Sequence, residues 1–236
     1  MDTDSCPASL EGVGKSIFFI SHTHHDHVMD APYMAIKCGA TIYGRSSAQN
    51  VALGGGVPKE RTVVFRDGSE YSIGAFKIRI LKSLHSKPMA LNDDLGVPIE
   101  EPLIQPACLR DYKEGGFYDF YIEHGEKKIL IRPSFNYIEG QLNGIRADVL
   151  FLGVAGLGKA DDVTEHIFFA ETAEKTNARL IIPIHWDNFF SSLEQPIIGM
   201  PELIEKTEVV FFKLARYCEE HDVNLLIQYP CTSIEI

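Results

Sequence analysis

Apolar and polar positions along the chain follow two rhythms, one of period two and one close to 3.6, and the alternation between them outlines the elements. Ser16–Ile20 is a short apolar run that reads as a buried strand. Asp30-Ala31-Pro32 predicts a helix through about Cys38, with Asp as N-cap, Pro in the first turn and Gly39 as terminator. Ala40–Tyr43 suits a strand, and Ser46–Leu53 a short helix closed by Gly54-Gly55-Gly56. Thr62–Phe65, Asp67-Gly68 and Glu70–Ile73 together give a hairpin signal. Phe76, Ile78 and Ile80 alternate with Lys77 and Arg79, which predicts a strand with one buried face, ending at Leu84-His85.

Residues 86–116 carry Pro88, Pro98, Pro102 and Pro106 with little periodicity and read as a long irregular loop, with Pro88–Pro106 as a candidate substrate cover. Phe117–Glu123 and Lys128–Ile131 flank His124-Gly125-Glu126 as a second hairpin. Beyond it the pattern predicts a strand at Asp148–Gly153, an amphipathic helix over Asp161–Asn177 and a strand at Arg179–Ile184 running into His185. A helix at about Lys206–Glu220 and a strand at Asn224–Tyr229 follow. Strand groups with helices at intervals, and no linker between them, suggest helix-covered sheets in one domain spanning 1–236.

Composition narrows the possible functions without naming one. The 236 residues are 45% hydrophobic, and 33 acidic residues against 22 basic ones give a formal charge of -11. Such a field disfavours nucleic acid and anionic membrane surfaces as partners. No apolar run reaches the roughly 18 residues of a membrane span. The opening MDTDSCPASLEG lacks the basic and apolar regions of a secretory leader, so a cytoplasmic location is expected. Five cysteines, Cys6, Cys38, Cys108, Cys218 and Cys231, show no CxxC spacing and read as reduced thiols.

The chemistry concentrates in His22-Thr23-His24-His25-Asp26-His27, an H-x-H-x-D-H pattern. In extended chain His22 and His24 point the same way and can share one cation. As the backbone turns into a helix, Asp26 and His27 can aim at a neighbouring point while His25 faces away. His85 and His185 each follow a predicted strand end. Together these residues offer two sites: His22, His24 and His85 for one ion, and Asp26, His27 and His185 for another. Imidazole and carboxylate ligands suit zinc, with iron, manganese or nickel as alternatives. His124, His166 and His221 fall in a hairpin and on helices and read as structural or surface residues.

From about Ser16 onward, on the H-x-H-x-D-H motif, His85, the Asp148-Val149-Leu150-Phe151-Leu152 strand and His185-Trp186-Asp187, the sequence resembles the metallo-β-lactamase superfamily, specifically its stand-alone metal-dependent hydrolases. The resemblance implies an α+β chain folded as a four-layer αβ/βα sandwich, with one or two divalent ions at the edge between two sheets. It also implies a hydrolase that turns a metal-activated hydroxide on a small ester, amide, lactone or phosphodiester. Asp26 is then the candidate catalytic residue, orienting the nucleophile and relaying its proton as well as ligating. Two departures stand out. The loop after Lys128–Ile131 reads Arg132-Pro133-Ser134-Phe135-Asn136, so Ser134 stands where relatives place an aspartate that bridges both metals, and the second ion is expected to bind more weakly. Only twenty-one residues precede the motif, fewer than the family's leading strands need, so part of them is expected to be missing.

Ser134, Asp148, Trp186 and Asp187 are candidates to meet substrate or to orient the ligand rings, and Phe189 and Phe190 to wall the pocket. A small-molecule substrate is the expected partner, with no nucleic acid or membrane, and a homo-oligomer is compatible. A superfamily nuclease, or a metal-binding protein without turnover, are the competing readings.

Overall fold

The computed structural model describes residues 16–87, 93–191 and 195–229, together with 232, 233 and 235. The opening MDTDSCPASLEG, Cys6, Cys231 and the Pro88 end of the candidate cover lie outside these residues. No helix among the described residues is long and apolar enough to cross a membrane.

In chain order the elements are β1 (Ile17–Phe19), α1 (His25–Val28), α2 (Ala31–Cys38), β2 (Thr41–Gly44), α3 (Ser46–Gly54), β3 (Thr62–Val64), β4 (Glu70–Ile73), β5 (Phe76–Lys82), β6 (Tyr118–His124), β7 (Lys127–Arg132), β8 (Val149–Gly153), α4 (Asp162–Phe169), β9 (Leu180–Ile184), α5 (Thr207–Glu220) and β10 (Asn224–Leu225). They form a three-stranded sheet of order β1-β2-β3 and a seven-stranded sheet of order β10-β9-β8-β7-β6-β5-β4. The first is parallel throughout, so each return crosses over through helices α1 to α3. The second is antiparallel from β4 to β7 and parallel from β7 to β10.

Three apolar clusters define four layers. Ile20, Ile42, Ala35, Ala48 and Val51 seal α2 and α3 onto the first sheet. Phe65, Ile78, Ile80, Tyr118 and Phe120, with Phe19 and Tyr43 against them, fill the space between the sheets. Leu130, Leu150, Leu152 and Ile181 meet Phe168, Phe169, Leu214 and Tyr217 of α4 and α5 on the far side. Each fully buried aliphatic or aromatic side chain contributes roughly 1.5–3 kcal/mol of hydrophobic stabilisation, which is why the pleat's alternation marks the layers. Phe169 stacks on Tyr217 with ring centroids 4.0 Å apart and locks α4 to α5.

Local chemistry explains most element ends and corrects three expectations. Asp161 caps α4 by accepting the Thr164 amide at 2.7 Å. The helix then widens to a π-helical segment over Ala170–Glu174, beside which the Thr172 hydroxyl donates back to the Phe168 carbonyl. Gly39 ends α2 with a left-handed φ of 67°, but Asp30 makes no side-chain cap bond because its own backbone is already helical. Thr62–Ile73 is not a hairpin: β3 pairs with β2 in the first sheet and β4 with β5 in the second. The turn at Asp67-Gly68 carries the chain between sheets, fixed by the Lys82 amide donating to Asp67 Oδ1 at 2.9 Å. The last strand is only Asn224–Leu225, since just these two residues pair with β9.

Because β5 and β6, and β6 and β7, are antiparallel, β5 runs in the same direction as β7, β8 and β9. The carboxyl ends of β5, β7 and β9 therefore open on one edge, the usual location of sites in α/β sheets.

Candidate metal centre

His22 and His24 leave the end of β1, His85 follows β5, and His185 follows β9. Thr23, between the first two, is buried and anchors the motif from below. Its amide donates to the Glu114 carbonyl at 2.9 Å and its hydroxyl to the Lys113 carbonyl. Gly115 must be glycine for this contact: its φ is +71°, and a Cβ there would stand 2.6 Å from both Ser47 Cβ and Thr23 Oγ1. His24 then supplies the carbonyl that opens α1, accepting the His27 amide at 3.0 Å. That turn swings Asp26 and His27 toward His185.

The result is two groups. One ligand atom from each of His22, His24 and His85 lies within 4.8 Å of the others, and Asp26, His27 and His185 satisfy the same limit. The groups share no residue. They touch through the rings of His22 and His27, whose centroids are 3.9 Å apart. Phe117 forms an apolar floor, 4.6 Å from the His22 ring and 5.4 Å from that of His85.

Hydrogen bonding at the first group fits a cation. His24 Nδ1 faces His85 Nε2 at 3.2 Å, and His22 Nε2 is buried without a hydrogen-bond partner. Two nitrogens each about 2.0–2.1 Å from a tetrahedral zinc are about 3.3 Å apart, close to the observed separation. At the second group Asp26 Oδ2 lies 3.3 Å from both His27 Nε2 and His185 Nε2.

Electrostatics support the same fit. Burial, reinforced by the neighbouring imidazoles, holds His22 well below the usual imidazole range. Burial likewise lowers His27, against the pull of Asp26, and pushes His85 down to about 4. All three are neutral at pH 7, the state a metal ligand needs. Burial alone would raise Asp26, but hydrogen bonds from His185 and His27 hold it well below the usual carboxylate range. Burial opposes charge on His185 too, yet the Asp26 carboxylate outweighs it and keeps that imidazole raised. His185 also has φ 60°, a left-handed conformation that histidine adopts more often than most residues, and its Nε2 lies 3.3 Å from Asp26 Oδ2.

His24 and His85 of the first group and Asp26 and His185 of the second line a cleft of about 930 Å³. His25 takes no part in either group, but it also lines the cleft, its ring against Phe189 and Phe190 at centroid distances of 6.2 and 6.4 Å. The described part of the irregular loop contributes Asp94, Arg110, Tyr112 and Lys113 to the wall.

The remaining candidates divide. Ser134 lines the cleft, and its hydroxyl oxygen accepts the Ser86 amide at 2.6 Å, which pins the chain just after His85. Asp148 is not at the site: it precedes β8 at the far end of the sheet from His185, and its carboxylate accepts the Lys128 amide at 2.9 Å. Trp186 turns away from the cleft into the core, 5.2 Å from Phe211. Asp187 follows it, in a bridge with Gly199, and makes no hydrogen bond to a ligand ring. Phe189 and Phe190 do wall the cleft. Asp94, 3.0 Å from His24 Nε2, went unpredicted, since its only sequence signal was an acidic pair in an aperiodic loop.

No family model matches the chain. Over 92 residues, 37% of the chain, it is 26% identical to a protein of Roseiflexus sp. (strain RS-1) described as a UPF0173 metal-dependent hydrolase, and the match spans 38% of that relative's length. Among solved structures it is similar to Igni18, a metallo hydrolase of the hyperthermophilic archaeon Ignicoccus hospitalis, with a TM-score of 0.57 and 12% identity over 93% of this chain and 78% of that one. YhfI of Bacillus subtilis, a metallo-β-lactamase fold protein, gives a TM-score of 0.55 and 16% identity over 90% and 74% of the two chains. The chain thus has the metallo-β-lactamase fold that its motif implied.

Proposed function

We propose that the chain is a metal-dependent hydrolase acting on a small ester, amide, lactone or phosphodiester, with zinc as its metal and iron, manganese or nickel as alternatives. The observation that carries this reading is the pair of ligand groups facing one cleft, His22, His24 and His85 beside Asp26, His27 and His185. The description of the Roseiflexus relative as a metal-dependent hydrolase supports it. A divalent ion in such a site supplies a water that ionises near neutral pH and a Lewis acid for a carbonyl or phosphoryl oxygen. Asp26 acts through both oxygens: Oδ2 faces His27 and His185, while Oδ1, 3.6 Å from His25, is left to orient the nucleophile by accepting its hydrogen bond. Phe189 and Phe190 wall the cleft beside His25 and exclude water from that side of the substrate. The -11 charge favours a small molecule over nucleic acid.

One observation favours a second reading, a metal-binding protein without turnover. The groups share no carboxylate, and Ser134, where relatives bridge two ions, is engaged with Ser86. Metal analysis of wild type and His22→Ala, followed by a hydrolase screen of the zinc-loaded wild type, separates the two. The hydrolase reading expects one or two ions per chain, fewer in the variant, and turnover of at least one ester, amide, lactone or phosphodiester. Metal binding with no turnover across the four classes would leave the second reading.

A further inference from the structure

Asp94 comes from the irregular loop, yet its carboxylate reaches the metal centre and accepts from His24 Nε2 at 3.0 Å, with the two side chains 15% and 10% exposed. A carboxylate offers no proton, so His24 carries its hydrogen on Nε2 and a neutral ring leaves Nδ1 bare. His85 is fixed the same way from its other side. Its Nδ1 lies 3.0 Å from the Ser86 carbonyl, an acceptor only, and 3.3 Å from the Ser86 hydroxyl, which can accept too; the shorter carbonyl contact calls for a proton on Nδ1 and leaves Nε2 bare. These two bare nitrogens face each other at 3.2 Å. Neither can donate to the other, and their lone pairs repel unless a cation lies between them. The third member, His22, has its buried Nε2 unpartnered.

We infer that Asp94 is the positioning residue that fixes the His24 tautomer and aims its Nδ1 at the His22–His24–His85 centre; the inference rests on the metal-binding reading above. A turn closed by the Val97 amide on the Asp94 carbonyl, 3.0 Å long, holds Asp94 in place. Glu114 steadies that turn by accepting the Gly96 amide at 2.5 Å, and its own carbonyl holds the Thr23 amide. The loop is therefore joined to the ligand motif at both Thr23 and His24. A hydrogen bond of this kind makes the opposite nitrogen more basic and holds the ring in one orientation.

The test uses the full chain as Asp94→Ala and Asp94→Asn. Zinc affinity is read by competition with a chromophoric chelator, and the His24 tautomer by ¹⁵N NMR of metal-free protein at pH 8. Asp94→Ala is expected to weaken zinc binding about 10- to 100-fold, the range found when such outer partners are removed. Its His24 ring should also change from a single Nε2–H form to exchanging tautomers. Asp94→Asn keeps an acceptor oxygen and should restore both readouts to near wild type, with the unfolding midpoint close to that of the parent in each case. Zinc affinity of Asp94→Ala within twofold of wild type, or a proton on Nδ1 of wild-type His24, would overturn the assignment. Should the alanine variant not fold, the wild-type tautomer and the asparagine variant decide it. A wild-type chain that binds no zinc defeats the metal reading itself; the metal-free tautomer then supports Asp94 as the orienting group if it is Nε2–H and overturns it if it is Nδ1–H.

Discussion

The Asn136 side-chain amide donates to the main-chain carbonyl of His85 at 2.6 Å, joining the turn after β7 to the segment after β5. With the Ser86 amide held by Ser134, this fixes the backbone on both sides of the peptide that follows the His85 ring. The sequence between β7 and Asn136 thus supports the candidate metal site through backbone placement, although none of its side chains is in a ligand group.

Asn136→Ala should therefore weaken zinc binding about tenfold. It should cost about 1 kcal/mol of stability for the lost bond. Asn136→Asp should be worse, since it sets a carboxylate against a carbonyl oxygen. Chelator competition and urea unfolding measure the two effects. Unchanged affinity in both variants would show that His85 needs no such tether.

The metal-free protein should be acid-sensitive through His85. Burial pushes this imidazole down to about 4 from an ordinary value near 6.5. The unfolded chain then binds the extra proton first, so this contribution is complete above pH 6.5 and is lost as pH falls toward 4. His185 and Asp119 have raised values and act in the opposite direction. Comparison with a neutral His85→Gln variant isolates the effect: between pH 7 and pH 5 wild type should lose about 2 kcal/mol more than the variant. Parallel curves would contradict the assigned direction.

Arg132 and Asp119 form an ion pair 3.2 Å apart with almost no exposure, under the carboxyl ends of β5 and β7. Burial pushes Asp119 up to about 6 even beside the guanidinium, so at neutral pH the pair is charged and desolvated. Arg132 also donates to the Asn136 carbonyl at 2.9 Å, which links the pair to the tether above His85. Arg132→Met should destabilise by about 3–5 kcal/mol, because it leaves a buried carboxylate unpaired. The double change Asp119→Leu with Arg132→Met should recover much of that loss. A double-mutant cycle with purely additive losses would refute the pairing.

Glu205 is buried and accepts the amides of Gly156 (2.9 and 3.0 Å) and Gly158 (2.9 Å), closing the segment before α5 over the turn after β8. Glu205→Ala should cost about 2–3 kcal/mol, on the order of one to two charged hydrogen bonds. It should also raise hydrogen exchange at those two amides selectively. Glu205→Gln, which keeps an acceptor, should fall between variant and parent. Uniform exchange across the chain would mean that the closure is held elsewhere.

The motif was legible because period-two geometry forces His22 and His24 to one side and the turn into α1 carries Asp26 and His27 to the next point. Strand runs were legible where one face is buried, as at Phe76–Ile80. Alternation does not say which sheet a strand joins, so β3 and β4 read as a hairpin although a turn carries the chain from one sheet to the other. Trp186 and Asp148 read as site residues on position in the sequence alone. The first packs into the core against Phe211, and strand direction puts the second at the opposite sheet end. Asp94 had no periodic signal because its contact bridges seventy positions through an irregular loop.

The left-handed backbone at His185 restricts which ligands could ever occupy that corner of the site. Most side chains cost roughly 1–2 kcal/mol in that conformation, whereas asparagine, aspartate and histidine adopt it more readily. Exchange of His185 for aspartate is thus compatible with the chain's path, while cysteine or glutamate there should cost about 1–2 kcal/mol. Redesign of this corner toward a harder, oxygen-preferring ion through aspartate therefore strains the backbone less than redesign toward a thiophilic one through cysteine.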